Sequence, residues 1–142
     1  MAEIKRFEDL EIWQLARELC KDIHKITTYE SLGKEFRLKD QIRASLGSVM
    51  DNIAEGFERS GNKEFVQFLF IAKGSCGEVR SQLYRILDNA YLSENEFNTL
   101  IDKRLLLSKS ISGFIYYLKN SEKKGSKFKN SNCDSETLNL KS

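Results

Sequence analysis

Proline is absent from all 142 residues, so no ring interrupts a helix by removing an N–H donor, and a Pro-rich linker is excluded. Histidine occurs once, as His24, and the three cysteines, Cys20, Cys76 and Cys133, form no close pair. This scarcity removes the common metal sites. Zinc needs paired Cys or His spacing, and a di-iron bundle needs Glu-x-x-His on two helices, whereas Lys21 stands three residues before His24. The cysteines are expected to be reduced, which places the chain in the cytoplasm. Long apolar runs are missing as well. The longest uncharged stretches, 65–72 and 110–118, fall short of the ~20 residues that span a bilayer, so no membrane partner is expected. The segment Met1–Leu10 carries Glu3, Lys5, Arg6, Glu8 and Asp9 and has no apolar core of a signal peptide.

Catalytic sets are equally thin. Gly33-Lys34 lacks the upstream glycine of a phosphate-binding loop. Ser75 and Cys76, within Gly74-Ser-Cys-Gly77, have no histidine base nearby. No enzyme activity and no cofactor are expected. The small residues of that stretch read instead as positions where a neighbouring helix or subunit comes close.

What the chain does have is helical periodicity. Ile12, Ala16, Leu19, Ile23 and Ile26 recur in steps of four and three, followed by a polar turn from Thr27 to Gly33. Leu38, Ile42, Leu46, Val49 and Ile53 mark a second helix from about Phe36 to Glu55, with Gly56 as its stop and Ser60 or Asn62 capping the next. Phe65, Leu69, Ala72, Cys76, Val79, Leu83, Ile86 and Ala90 give a third. Ser93 with Glu96 is a capping box that opens a fourth, carrying Phe97, Leu100, Leu107, Ile111, Phe114 and Leu118 inward. The expectation is all-α: an antiparallel up-down-up-down four-helix bundle over 1–118. A lysine-rich tail over 119–142 is expected to be disordered.

The net charge of +2 is unevenly placed. Six lysines and three acids lie in 119–142, so the chain's 23 basic and 21 acidic residues leave 17 and 18 in 1–118. The expected bundle is nearly neutral, and any basic patch on it depends on how charges are distributed. Candidates for phosphate contact are Arg43, Arg59, Lys73 and Arg80, together with the row Arg17, Lys21 and Lys25 on the first helix. Asn52, Glu55 and Arg59 gather at a helix end, where they can form a polar clamp or a ligand site. Apolar surface is also in surplus: Trp13, Leu15, Val66, Phe70, Tyr84, Ile101, Leu105, Ile115, Tyr116 and Tyr117 widen the inward stripes. Such width suits either a subunit interface or the bundle's own core.

Phe7-Glu-Asp-Leu10 with Trp13, Gln41-Ile-Arg-Ala44, Asn52-Ile-Ala-Glu-Gly56, Phe65 with Phe68-Leu69, and Ala72-Lys-Gly-Ser75 with Glu78 together resemble the bacterial 23S rRNA intervening-sequence family. That family includes the accessory variability determinant of diversity-generating retroelements. The resemblance covers roughly 5–118. It implies an up-down bundle assembled into a ring-shaped homopentamer, with basic surfaces that, in the retroelement branch, bind RNA or DNA and a reverse transcriptase. Ala44–Asp51 departs from the family's second arginine and Ser-Ile-Pro step. Two functions are therefore carried forward: a homo-oligomeric, non-catalytic scaffold that binds structured nucleic acid through phosphates, and a protein–protein adaptor with no nucleic-acid role.

Overall fold

A computed structural model describes residues 3–127 of the chain, with side chains as far as 121. A single 3-10 turn, Phe7–Asp9, precedes five α-helices: α1 (Glu11–Ile26), α2 (Glu30–Gly33), α3 (Phe36–Glu58), α4 (Asn62–Asp88) and α5 (Glu94–Lys127). The four long helices make the expected bundle. α3 packs on α4, α4 on α5, and α1 closes the ring against α3 and α5. Their antiparallel sense is visible in the cross-helix pairs: Ser48 meets Ser75 and Gln41 meets Arg85, while Tyr84 meets Phe97 and Cys76 meets Arg104. Among the described residues no helix is long and apolar enough to cross a membrane.

The periodic stripes become the core. Leu19, Ile23, Ile42, Leu46, Val49, Ile53, Leu69, Cys76, Leu83, Ile86, Leu107 and Ile111 are all fully buried. Each such aliphatic side chain contributes about 1.5–3 kcal/mol relative to exposure. The surplus apolar residues divide. Val66 and Ile115 are buried, and Trp13, Leu15, Ile101 and Tyr117 pack half-buried on the core. Phe70, Tyr84, Leu105 and Tyr116 stay exposed.

Several boundaries differ from the sequence reading. The turn expected over Thr27–Gly33 contains the short helix α2, because Leu32 is drawn wholly into the core. Gly56 does not end α3, which runs to Glu58. A Cβ on Gly56 would lie 2.8 Å from both Phe65 Cδ1 and Phe68 Cβ, so glycine is there to let α4 approach. The residue before α4 is Gly61, in extended backbone, and neither Ser60 nor Asn62 caps it.

α4 stops at Asp88, leaving Ala90 exposed outside the helix. Ala90 has φ 60°, and the Tyr91 N–H bonds to Ile86 O while the Ala90 N–H bonds to Leu87 O. This is the Schellman pattern, with alanine where glycine is usual. The capping box that opens α5 forms as read: Glu96 N–H donates to Ser93 Oγ at 3.1 Å, and Ser93 N–H donates to Glu96 Oε1 at 3.3 Å. α5 continues as helix past Leu118 to Lys127, through residues such as lysine and glutamate that favour helix. The rest of the expected tail, from 128 onward, lies outside the described residues.

Candidate nucleic-acid interface

Arg17 and Lys21 are one helical turn apart on α1, and His24 follows on the same flank. Arg43 of α3 meets them across a groove of about 360 Å³ whose remaining lining is Cys20, Ile23 and Leu46. Three cationic side chains and a histidine, from two helices, thus surround one largely apolar depression. Arg17 sits over the Trp13 ring, 5.5 Å from its centroid, which fixes the side chain without neutralising it. Lys21 is 3.9 Å from Glu18, an exposed pair of little energetic weight. Arg43 is half-buried. Its Nη2 donates to Thr27 Oγ1 at 2.7 Å, and its Nε has no partner among the described residues. Burial, and then the charge of Asp51, push the Cys20 thiol up, so it stays protonated at neutral pH and offers no thiolate.

The row on α1 is shorter than its spacing implied. Lys25, one turn further along α1, is not part of the groove lining. Nor do the other expected contacts join Arg43. Arg59 lies at the α3–α4 corner, donating to Glu55 Oε2 at 2.6 Å and stacked over Phe68 at 4.9 Å. Lys73 and Arg80 are exposed, seven residues apart on the flank of α4 that carries Tyr84, which packs on Phe97 of α5. Among the described residues neither makes an ion pair. The clamp comes together in two of its three members. Arg59 and Glu55 pair, whereas Asn52 donates to Ser48 O at 2.8 Å and Ser48 Oγ at 3.1 Å.

Asn52 instead belongs to a polar seam between α3 and α4. Ser48 Oγ lies 2.8 Å from Ser75 Oγ, and Ser45 Oγ bonds to Gln41 O at 3.0 Å and Glu78 Oε1 at 3.4 Å. Ser75 is therefore a packing residue. Gly74 and Gly77 beside it face open space, with nothing within 4 Å of a built Cβ.

The seam widens at its far end into a second groove, about 370 Å³, lined by Gln41, Ala44, Ser45, Glu78, Ser81, Gln82 and Arg85. Arg85 Nη1 donates to Gln41 Oε1 at 3.1 Å. Gln82 is only 8% exposed, and its Oε1 has no partner among the described residues. This groove was not read from the sequence. The signal was present in two sets of small and polar residues, 41, 44, 45 and 78, 81, 82, 85, each repeating at helical spacing.

Residues 8–113 match the profile of a family described as 23S rRNA-intervening sequence protein. The fold is similar to a crystal structure from Bacteroides thetaiotaomicron VPI-5482, described as a protein with unknown function from the S23 ribosomal protein family. The TM-score is 0.67 at 21% identity, over 73% of this chain and 97% of that one. That likeness is one of fold. No curated protein matches the sequence.

Proposed function

This chain belongs to the 23S rRNA-intervening sequence protein family, and from that premise we propose that it is a non-catalytic, homo-oligomeric scaffold for structured RNA or DNA. Its phosphate contacts lie in the α1/α3 groove. The observation that carries this reading is the convergence of Arg17, Lys21, His24 and Arg43 on one depression. Charges spaced along a helix and answered across a groove suit a line of phosphates, and the apolar floor excludes water beneath them. Lys73 and Arg80 lie on the Tyr84 flank of α4, assigned below to assembly, and take no part in this groove.

The test is the salt dependence of RNA binding by the full chain. Each phosphate neutralised adds about 0.7–0.9 to the slope of log K against log salt. Arg17→Ala with Lys21→Ala should weaken binding and flatten that slope by about 1–2. Lys73→Ala with Arg80→Ala should do so less. Equal effects from the two pairs would remove the groove from the function.

The exposed apolar residues Phe70, Tyr84, Leu105 and Tyr116 on the α4/α5 flank favour assembly. A second copy of the chain on that flank builds the oligomer, a ring of five by family resemblance. If a protein partner sits there instead, the chain is an adaptor. Light-scattering mass with and without RNA separates the two: a ring-sized particle that grows with RNA at low salt supports the scaffold, and a ring indifferent to RNA supports the adaptor.

A further inference from the structure

We propose that the α3/α4 groove holds one unpaired guanine base of the bound strand. The assignment deepens the nucleic-acid reading above and rests on it. Three observations support it. First, Ala44, Ser45 and Ser81 keep this part of the seam open, at about 370 Å³, within the usual range of small-ligand sites. Second, Glu78 and Arg85 lie seven residues apart on the same side of α4, two turns or about 10 Å along its axis, and do not pair with each other. Each is held by a neutral group of α3 instead, Glu78 by Ser45 and Arg85 by Gln41. Third, Gln82 stands between them, more than nine-tenths buried, with a carbonyl oxygen that none of the described residues satisfies.

A carboxylate and a guanidinium facing one slot define the ligand by its donors and acceptors. Guanine carries two acceptors, O6 and N7, on one edge, which a guanidinium grips with two N–H groups. Its N1–H and 2-amino group are adjacent donors, which a carboxylate accepts side by side. Rotation of the Gln82 amide offers its oxygen to the same 2-amino group. Adenine and cytosine each set a ring-nitrogen acceptor beside their amino group, so a carboxylate there meets a lone pair. Uracil has one ring donor between two carbonyls. Guanine alone uses both charged ends.

The two grooves share α3. Arg43 and Leu46 face one, Gln41 and Ser45 the other. A helix is about 10–12 Å across with its side chains, so a strand with phosphates against α1 can turn an unstacked base over this ridge. Loops and bulges of RNA supply such bases.

The experiment is fluorescence anisotropy of the full chain with labelled nine-nucleotide RNAs at one low salt concentration. The probes are oligouridine and the same strand with a central guanosine, inosine or adenosine. Guanosine should bind about five- to a hundred-fold tighter than uridine, and inosine, which lacks the 2-amino group, should lose most of that gain. Glu78→Gln should erase the preference while leaving oligouridine binding unchanged. Ser81→Leu, which fills the groove from an exposed position, should do the same and guards against misfolding of the first variant. Equal binding of all four probes, with salt dependence intact, overturns the guanine site and leaves the phosphate groove standing. A loss in Glu78→Gln that is equal for every probe also overturns it. No binding of any probe overturns both readings.

Discussion

Arg104 of α5 stands against Cys76 of α4 inside the core, its Nη1 3.9 Å from the sulfur, while the thiol is 3.7 Å from the Arg104 carbonyl. The side chain is only 6% exposed, its Nε has no partner, and no carboxylate pairs with it among the described residues. Burial pushes the Cys76 thiol up, and the guanidinium charge pulls against that shift. Arg104 occupies the step between Leu100 and Leu107 where the heptad asks for an apolar residue. A buried charge without a counter-charge is a net liability. Arg104→Met should therefore stabilise the fold by about 1–4 kcal/mol, read as a higher urea midpoint at unchanged slope. A lower midpoint would mean that the guanidinium has a use the fold depends on.

Gly56 of α3 and the two glycines of α4 should respond in opposite directions. Gly56→Ala drives a Cβ to within 2.8 Å of Phe65 and Phe68 and should destabilise by about 1–3 kcal/mol. Gly74→Ala and Gly77→Ala meet nothing within 4 Å and should each stabilise by up to about 1 kcal/mol. Thermal melts of the three variants check this. If Gly77→Ala raises the melting temperature but lowers the oligomer mass, a second copy approaches α4 at that point.

Ala90 holds a left-handed φ of 60° that glycine adopts freely. Ala90→Gly should stabilise by about 1 kcal/mol through relief of that conformation, with no change in secondary structure by circular dichroism.

Acid sensitivity should centre on Glu96. The hydrogen bond from Tyr29, then the backbone bond from Ser93, holds the Glu96 carboxyl below its ordinary 4.5. A lowered folded pKa contributes stability that is present above the unfolded value and is lost as pH falls through the folded one. The same contact raises the Tyr29 hydroxyl above 10.0, so its contribution is present below that value and is lost as pH rises through the folded one. Tyr29→Phe should flatten both limbs of a plot of urea midpoint against pH, most visibly below about 4.5. Retention of the acid limb in this variant would place its origin at another carboxylate.

The fold was legible because its information is local. Leu38 to Ile53 and Phe65 to Ile86 repeat at helical spacing, and Ser93 with Glu96 writes a helix start into four residues. What escaped depends on distance in space. Gly56 reads as a stop signal until Phe65 and Phe68 are seen against it. Leu32 reads as part of a turn until the core is found to have room for it. The phosphate candidates suffered in the same way. Arg43 and the row Arg17, Lys21 and Lys25 read as separate candidates, and only the packing of α1 on α3 brings Arg17, Lys21 and His24 to Arg43. Residues 78, 81, 82 and 85 look like an ordinary solvated face, and only the small side chains opposite, on α3, turn them into the wall of a groove.

Trp13 is the chain's single tryptophan. It is pinned edge-on by Phe7 at 5.2 Å and covered by the Arg17 guanidinium at 5.5 Å. Anything bound in the α1/α3 groove that pulls the Arg17 guanidinium off the ring uncovers the indole and alters its emission. The protein therefore carries an intrinsic optical reporter at the rim of the proposed phosphate groove, and a change in its emission on adding RNA would report binding there without a dye.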